Sequence, residues 1–310
     1  TGTGAITVST GGGVTPYTYS WNTGVHTTAN ATGLFAGTYA VTVTDAHGCT
    51  TIVSSTIQEP TPLIATNGPI TQVSCQGANN GTASVNANGG TSPYTFNWSP
   101  ITNSSSVASG LSPGNYQVVV SDANGCAATT SITITEPPPL ISTISAVTQV
   151  LCYGGNNGNA TVAANGGTMP YQYQWSPGGT TAAQVTGLSA GNYSVQITDA
   201  NGCTSSSSVQ ITEPPLLSGS VLNVIPVSCN GGADGGISVG VTGGAGSYAY
   251  QWSPSVSTGP SAGGIGQGQY SVMVTDAHGC TVALSANVPE PPPLVTAAAP
   301  ITQVLCNGGQ

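Results

Sequence analysis

The chain has 310 residues with no Lys or Arg, and its nine carboxylates give it a formal charge of -9. A surface without cations cannot displace counterions from phosphates, which excludes nucleic-acid binding, polybasic attachment to anionic lipid, and Lys-based isopeptide or Schiff-base chemistry. No stretch approaches the roughly 20 apolar residues of a membrane-spanning helix, so no membrane insertion is expected from these residues.

Trp21, Trp98, Trp175 and Trp252 stand 77 residues apart without a gap, so the chain is one unit repeated. The boundaries follow by offset: a partial repeat over residues 1–60 that lacks its first strand, complete repeats over 61–137, 138–214 and 215–291, and the start of a fifth over 292–310. This register predicts a window on a longer tandem array.

In the second repeat, Leu63 to Cys75 reads as a first strand, closed by a Gly/Asn-rich turn through Asn80-Gly81. Ala83, Val85 and Ala87 then alternate with polar residues in a half-buried strand that ends at Gly89-Gly90. Tyr94, Phe96 and Trp98 follow at i, i+2 and i+4, which in an extended strand places all three on one face, the core face. A Ser/Thr/Asn-rich passage leads to a short strand over Val107 to Leu111. Tyr116, Val118 and Val120 open the most regular strand, Asp122 to Gly125 turns the chain, and a last strand from Cys126 runs to Glu136 and a prolyl tract that acts as a stiff spacer. Of 18 aromatic residues, twelve lie in the four triplets and four are the tyrosines of Gly-x-Tyr (Tyr39, Tyr116, Tyr193, Tyr270), leaving Phe35 and Tyr153 elsewhere. Six or seven short strands per repeat, regular turns and no helical period predict an all-β tandem array of small immunoglobulin-like sandwiches with period 77. A β-solenoid is the rival, for which a repeat of this length is too long.

The candidate chemistry is sparse. Gly110-Leu111-Ser112-Pro113-Gly114 and Gly187-Leu188-Ser189-Ala190-Gly191 match Gly-x-Ser-x-Gly, the elbow that exposes a nucleophilic serine. The serine position is Phe35 in the first repeat and Gly266 in the fourth, no helix follows, and no His is placed to serve it, so a tight turn is expected and no enzyme. His47 and His278 occupy the turn slot held elsewhere by Asn124 and Asn201. Four turn aspartates (Asp45, Asp122, Asp199, Asp276) and four linker glutamates (Glu59, Glu136, Glu213, Glu290) are candidate Ca²⁺ ligands at repeat junctions, set against simple hairpin capping by Asp. No other cofactor is indicated. Asn30, Asn80, Asn97, Asn103, Asn159 and Asn192 sit in Asn-x-Ser/Thr triplets, which permits glycosylation without indicating it.

Eight cysteines in register, without Cys-x-x-Cys or a His pair, fit a disulfide framework in an oxidising compartment and predict an extracellular protein. If the strands meander, Cys75 pairs with Cys126, Cys152 with Cys203 and Cys229 with Cys280, each inside its repeat. An immunoglobulin-like crossover instead puts these turns at opposite ends and pairs Cys75 with Cys203 of the next repeat. The internal bond is favoured by the modest core of a 77-residue unit, which gains most from its own cross-link.

Gly-Gly-Thr-Ser-Pro-Tyr-Thr-Phe-Asn-Trp (89–98), Gly-Leu-Ser-Pro-Gly-Asn-Tyr-Gln-Val-Val-Val-Ser-Asp-Ala-Asn-Gly-Cys (110–126) and the Cys-x-Gly turn at 75–77 resemble tandem SprB-type repeats, a family named for a surface adhesin of gliding bacteria. The fourth repeat departs from the pattern, with Ser247 in place of Pro. The resemblance implies export to the bacterial cell surface by the type IX route and a role in adhesion or gliding motility. The expected function is therefore a non-enzymatic stalk or filament, whose ligand is an extracellular surface or a glycan bound through further domains. The alternatives are a fibre or sheath built by lateral self-association and a carbohydrate-binding array. Exposure of Phe35 and Tyr153 would favour the last, since sugar binding uses open aromatic platforms.

Overall fold

The computed structural model describes residues 2–299, and these form strands, turns and bends with no helix among them. The remainder of the predicted fifth repeat, residues 300–310 with Cys306, lies outside the described residues. The first repeat contributes β1 (Gly4–Thr7), β2 (Thr18–Trp21), β3 (Asn30–Leu34), β4 (Gly37–Thr44) and β5 (Thr50–Ile57). The second contributes β6 (Ile64–Thr71), β7 (Gly81–Asn88), β8 (Thr95–Ser99), β9 (Val107–Leu111), β10 (Gly114–Ser121) and β11 (Ala127–Ile134). The third holds β12 (Ile141–Thr148), β13 (Gly158–Asn165), β14 (Gln172–Ser176), β15 (Gln184–Leu188), β16 (Gly191–Thr198) and β17 (Thr204–Ile211). The fourth holds β18 (Ser218–Ile225), β19 (Gly235–Thr242), β20 (Ala249–Ser253), β21 (Ser261–Ile265), β22 (Gly268–Thr275) and β23 (Thr281–Val288). The chain divides into two compact units between Glu136 and Pro137.

Each complete repeat is two three-stranded antiparallel sheets. In the second, the orders are β6-β7-β9 and β11-β10-β8. The chain thus leaves the first sheet after its second strand, returns for its fourth, and leaves again, the crossover connectivity of immunoglobulin sandwiches and not that of a meander or a solenoid. Both sheets turn their apolar alternation inward. Ala83, Val85, Ala108 and Leu111 from one meet Trp98, Tyr116, Val118, Val120, Ile132 and Ile134 from the other, with Val73 between them, all buried. Three further clusters repeat this arrangement, each confined to its own repeat.

The first strand of a repeat touches both sheets. The β6–β7 register slips between Asn67 and Ile70, and beyond the slip Val73 N–H donates to Thr135 O at 3.1 Å, on the opposite sheet. Val150 to Thr212 O (3.0 Å) and Val227 to Pro289 O (3.1 Å) do the same in the next two repeats. A bulge bends the strand and lets it cross between layers.

The aromatic triplet lies on one face with depth increasing along it: Tyr94 and Phe96 are half-buried and Trp98 is fully buried, as in the other repeats. Buried Tyr and Trp need partners for their polar tips, and backbone carbonyls supply them. Trp98 Nε1–H donates to Ser105 O (2.8 Å), and Trp21, Trp175 and Trp252 donate seven residues on in the same way. Tyr94 donates to Gly89 O (2.7 Å). Tyr116 donates to Ser112 O (2.9 Å), and Tyr39, Tyr193 and Tyr270 likewise reach back four residues. A tyrosine at the start of this strand bonding upstream backbone is the tyrosine corner of immunoglobulin-like sandwiches.

Candidate functional site

The crossover fixes where the cysteines go. The first-turn cysteine follows the first strand at one end of the sandwich, whereas the hairpin cysteine follows the fifth strand at the other end. The expected bond inside each repeat therefore does not form. Cys152 of the third repeat bonds Cys280 of the fourth, with Cα atoms 5.8 Å apart across 128 residues of sequence. Cys126 and Cys229, placed in internal pairs by the meander reading, are free and exposed, as is Cys49. Cys75 and Cys203 each belong to a disulfide and are not free thiols. The crossover is the physical reason for this correction, because the chain changes sheet at mid-height without reversing, so that its third and fourth strands run in the same direction.

The aspartates form the lip on the hairpin side of the bond. Asp276 Oδ1 accepts from His278 N–H and Cys280 N–H, both at 2.9 Å, and Oδ2 accepts from Ala245 N–H at 2.9 Å. Asp45, Asp122 and Asp199 make the same three bonds in their own repeats. Asp122, Asp199 and Asp276 are buried. For Asp122 the Thr91 N–H leads in holding the carboxyl below its ordinary 3.8, and for Asp45 the Cys49 N–H leads. In Asp199 and Asp276 burial is the largest influence and acts upward, but the summed peptide donors outweigh it and the net shift is downward.

The glutamates form the opposite lip. Glu136, Glu213 and Glu290 each accept, through Oε2, the N–H of the first-turn glycine 59 residues earlier: Gly77 (2.6 Å), Gly154 (2.6 Å) and Gly231 (2.9 Å). Glu59 is exposed. Asp234, in the first turn of the fourth repeat, accepts Ser228 N–H at 3.0 Å. Seven of the eight candidate calcium ligands thus accept peptide N–H groups, and among the described residues no three carboxylates, imidazoles or thiols converge. Those seven carboxylates close backbone turns.

Two features of this junction carry no sequence signal. His278 Nδ1 lies 3.1 Å from Leu151 O, and Cys280 Sγ lies 3.5 Å from the same carbonyl, contacts that span 127 and 129 residues. A cleft of about 300 Å³ runs beside the bond, bounded by Tyr153, Pro215, Leu217 and Gly244. In the first repeat a separate groove of about 470 Å³ is lined by Ile6, Val8, Trp21 and Val53, among others, without a carboxylate, imidazole or thiol.

The serine elbows are explained by the tyrosine corner. The carbonyls of Ser112 and Ser189 receive the tyrosine hydroxyls, and Ser112 Oγ bonds Asn79 Oδ1 at 2.8 Å instead of a base.

A family model for the SprB repeat matches residues 1–26, 67–103, 144–180 and 221–257, with complete matches starting 77 residues apart. SprB-repeat matches thus stand in tandem at four positions along the chain. The three complete matches run from within the first strand of a sandwich through its third, the match at 1–26 holds β1 and β2, and all stop after the Trp, so the hairpin segment 110–126 lies beyond the matched residues. No curated protein sequence matches the chain. Among solved structures it is similar to three N-terminal domains of the bacteriophage RB49 outer capsid protein Hoc (14% identity, covering 76% of this chain and 100% of that one, TM-score 0.38). It is also similar to invasin, a bacterial integrin-binding protein (10% identity, 88% and 72%, TM-score 0.32). Domains 1–6 of the surface layer protein SbsC match at 14% identity over 89% of this chain and 50% of that chain, TM-score 0.26.

Proposed function

We propose that these SprB repeats form a non-enzymatic structural stalk or filament of a secreted bacterial cell-surface adhesin, exported by the type IX route and serving adhesion or gliding motility. The observation that carries this reading is the Cys152–Cys280 bond, which makes two successive sandwiches covalently continuous beyond their shared backbone. The turn carboxylates support it, since they are spent on holding loops and not gathered around a substrate. The ligand in this reading is an extracellular surface or a glycan.

A second reading, a laterally packed fibre or sheath, draws on the outward face of the third repeat. There Gln172, Gln174, Ser194, Gln196, Ser206 and Ser208 form an exposed grid of amides and hydroxyls without a charge to repel a neighbour. A sugar-binding array has less support: Phe35 and Tyr153 are 66% and 55% exposed, but they lie in different repeats and are not repeated.

Immunogold electron microscopy of intact cells, with an antibody raised to one repeat, separates the first two. Isolated threads tethered at one end are expected for the stalk. A continuous coat or bundled fibre would overturn it in favour of lateral packing.

A further inference from the structure

The bonded pair defines two kinds of half-staple. Cys152 represents the first kind: a first-turn cysteine whose following Gly154 N–H is clamped by Glu213. Cys280 represents the second: a hairpin cysteine whose own N–H is clamped by Asp276, with His278 reaching the carbonyl before the opposing cysteine. The three exposed free thiols sit in the same machinery. Cys229 is of the first kind, with Gly231 N–H held by Glu290 at 2.9 Å. Cys49 and Cys126 are of the second, their N–H groups held by Asp45 and Asp122 at 2.9 and 2.8 Å. The first-repeat hairpin also carries His47 in the place of His278, its N–H on Asp45 at 2.9 Å.

We propose that Cys49, Cys126 and Cys229 are docking thiols whose partner is the complementary end of another SprB repeat, and that pairing always joins a first-turn cysteine to a hairpin cysteine. The inference is independent of the adhesin reading. Two features make the rule selective. Each lip is already shaped by a carboxylate before its partner arrives, so little order remains to be imposed on binding. Two lips of one kind bring together the same clamped loops, with no carbonyl and imidazole facing each other as Leu151 and His278 do. Cys49 should be the better acceptor for Cys229, because His47 can approach Ser228 O as His278 approaches Leu151 O.

Bond formation needs an oxidant, and a low-molecular-weight disulfide such as oxidised glutathione suffices. The Cys229 thiolate attacks one glutathione sulfur and releases one glutathione thiolate. The Cys49 thiolate then attacks the Cys229 sulfur of the mixed disulfide and expels the second. Two protein thiols are oxidised and one glutathione disulfide is reduced.

The test uses the oxidised 310-residue chain carrying Cys306→Ser, treated with oxidised glutathione and quenched with a maleimide. Links are mapped by mass spectrometry after peptic digestion in acid, which suppresses disulfide exchange and needs no Lys or Arg. Covalent multimers joined through Cys229–Cys49 and Cys229–Cys126 are expected, disappearing in Cys229→Ser. His47→Ala should lower the Cys229–Cys49 share relative to Cys229–Cys126 by roughly two- to tenfold, the range of one hydrogen bond. Random pairing of one first-turn thiol and two hairpin thiols would make like-type links the majority. That result, multimers surviving in Cys229→Ser, or monomers capped only by glutathione would each overturn the proposal.

Discussion

Asp122 shows how much one side chain does in this molecule. It joins the hairpin to the Gly-Gly turn 31 residues earlier through a single carboxylate, using Thr91, Asn124 and Cys126 N–H groups. Because those donors hold its folded pKa below 3.8, its contribution is fully present above the unfolded value and is lost as pH falls through the folded one. The melting temperature should therefore be level from neutrality to about pH 5 and decline below about pH 4. Replacing Asp122, Asp199 and Asp276 together by Asn should lower the plateau and flatten the acid decline in thermal melts at stepped pH. An unchanged slope would show that these carboxylates do not couple to folding. Tyr116→Phe removes one hydroxyl-to-carbonyl bond at the tyrosine corner and should cost about 0.5–1.5 kcal/mol in chemical denaturation. The Asp role was legible as hairpin capping, since Asp followed by a Gly turn favours it. The reach to Thr91 was not, because it depends on two loops meeting at one end of a sandwich.

At the scale of elements, period-two alternation made the faces readable. The strands containing Val85, Trp98 and Val118 bury the residues that the pattern assigns, because a strand has only two faces and one of them is charge-free and apolar. The crossover was harder to read. The passage between Trp98 and Val107 is rich in Ser, Thr and Asn without apolar rhythm, so nothing in it marks whether the chain turns back or changes sheet and continues in the same direction. The entry of each repeat is instead set by its Gly-Gly turn. Gly166 has φ +73°, and a Cβ there would lie 1.9 Å from Pro139 O, while Gly167 N–H donates to Pro138 O at 2.9 Å. Gly166→Ala combines left-handed strain with a backbone collision and should destabilise the third repeat by about 1–3 kcal/mol or more. Trp98→Ala should cost the second repeat about 3–5 kcal/mol. Since each cluster is confined to its repeat, calorimetry should show one transition moving and the others staying in place.

At the scale of the whole molecule, the Cys152–Cys280 bond closes a loop of 128 residues. Chain-entropy arguments give such a loop about 5 kcal/mol of stabilisation at most, through the unfolded ensemble. That benefit belongs to the third and fourth repeats jointly, because either one alone still leaves the other folded inside the loop. Reduction should therefore lower and separate their transitions in calorimetry, and identical scans with and without reductant would contradict this. The connectivity could not be read from eight evenly alternating cysteines, for their spacing is the same whichever end each turn occupies.

The same bond also sets a limit on extension. If handles on Pro138 and Pro289 are drawn apart, tension passes along β12 to Cys152, crosses the sulfurs to Cys280, and leaves along β23. Everything from Tyr153 to Gly279, both tryptophan cores included, is bypassed. Stretching can peel two edge strands and then stops. In optical tweezers, the Cys152→Ser, Cys280→Ser variant should yield about 420–460 Å more contour length than the native chain, at about 3.3–3.6 Å for each of 128 residues. The bond would thus serve as a tether stop, letting the strained pair of repeats give slightly at its edges while its cores remain folded and ready to recoil.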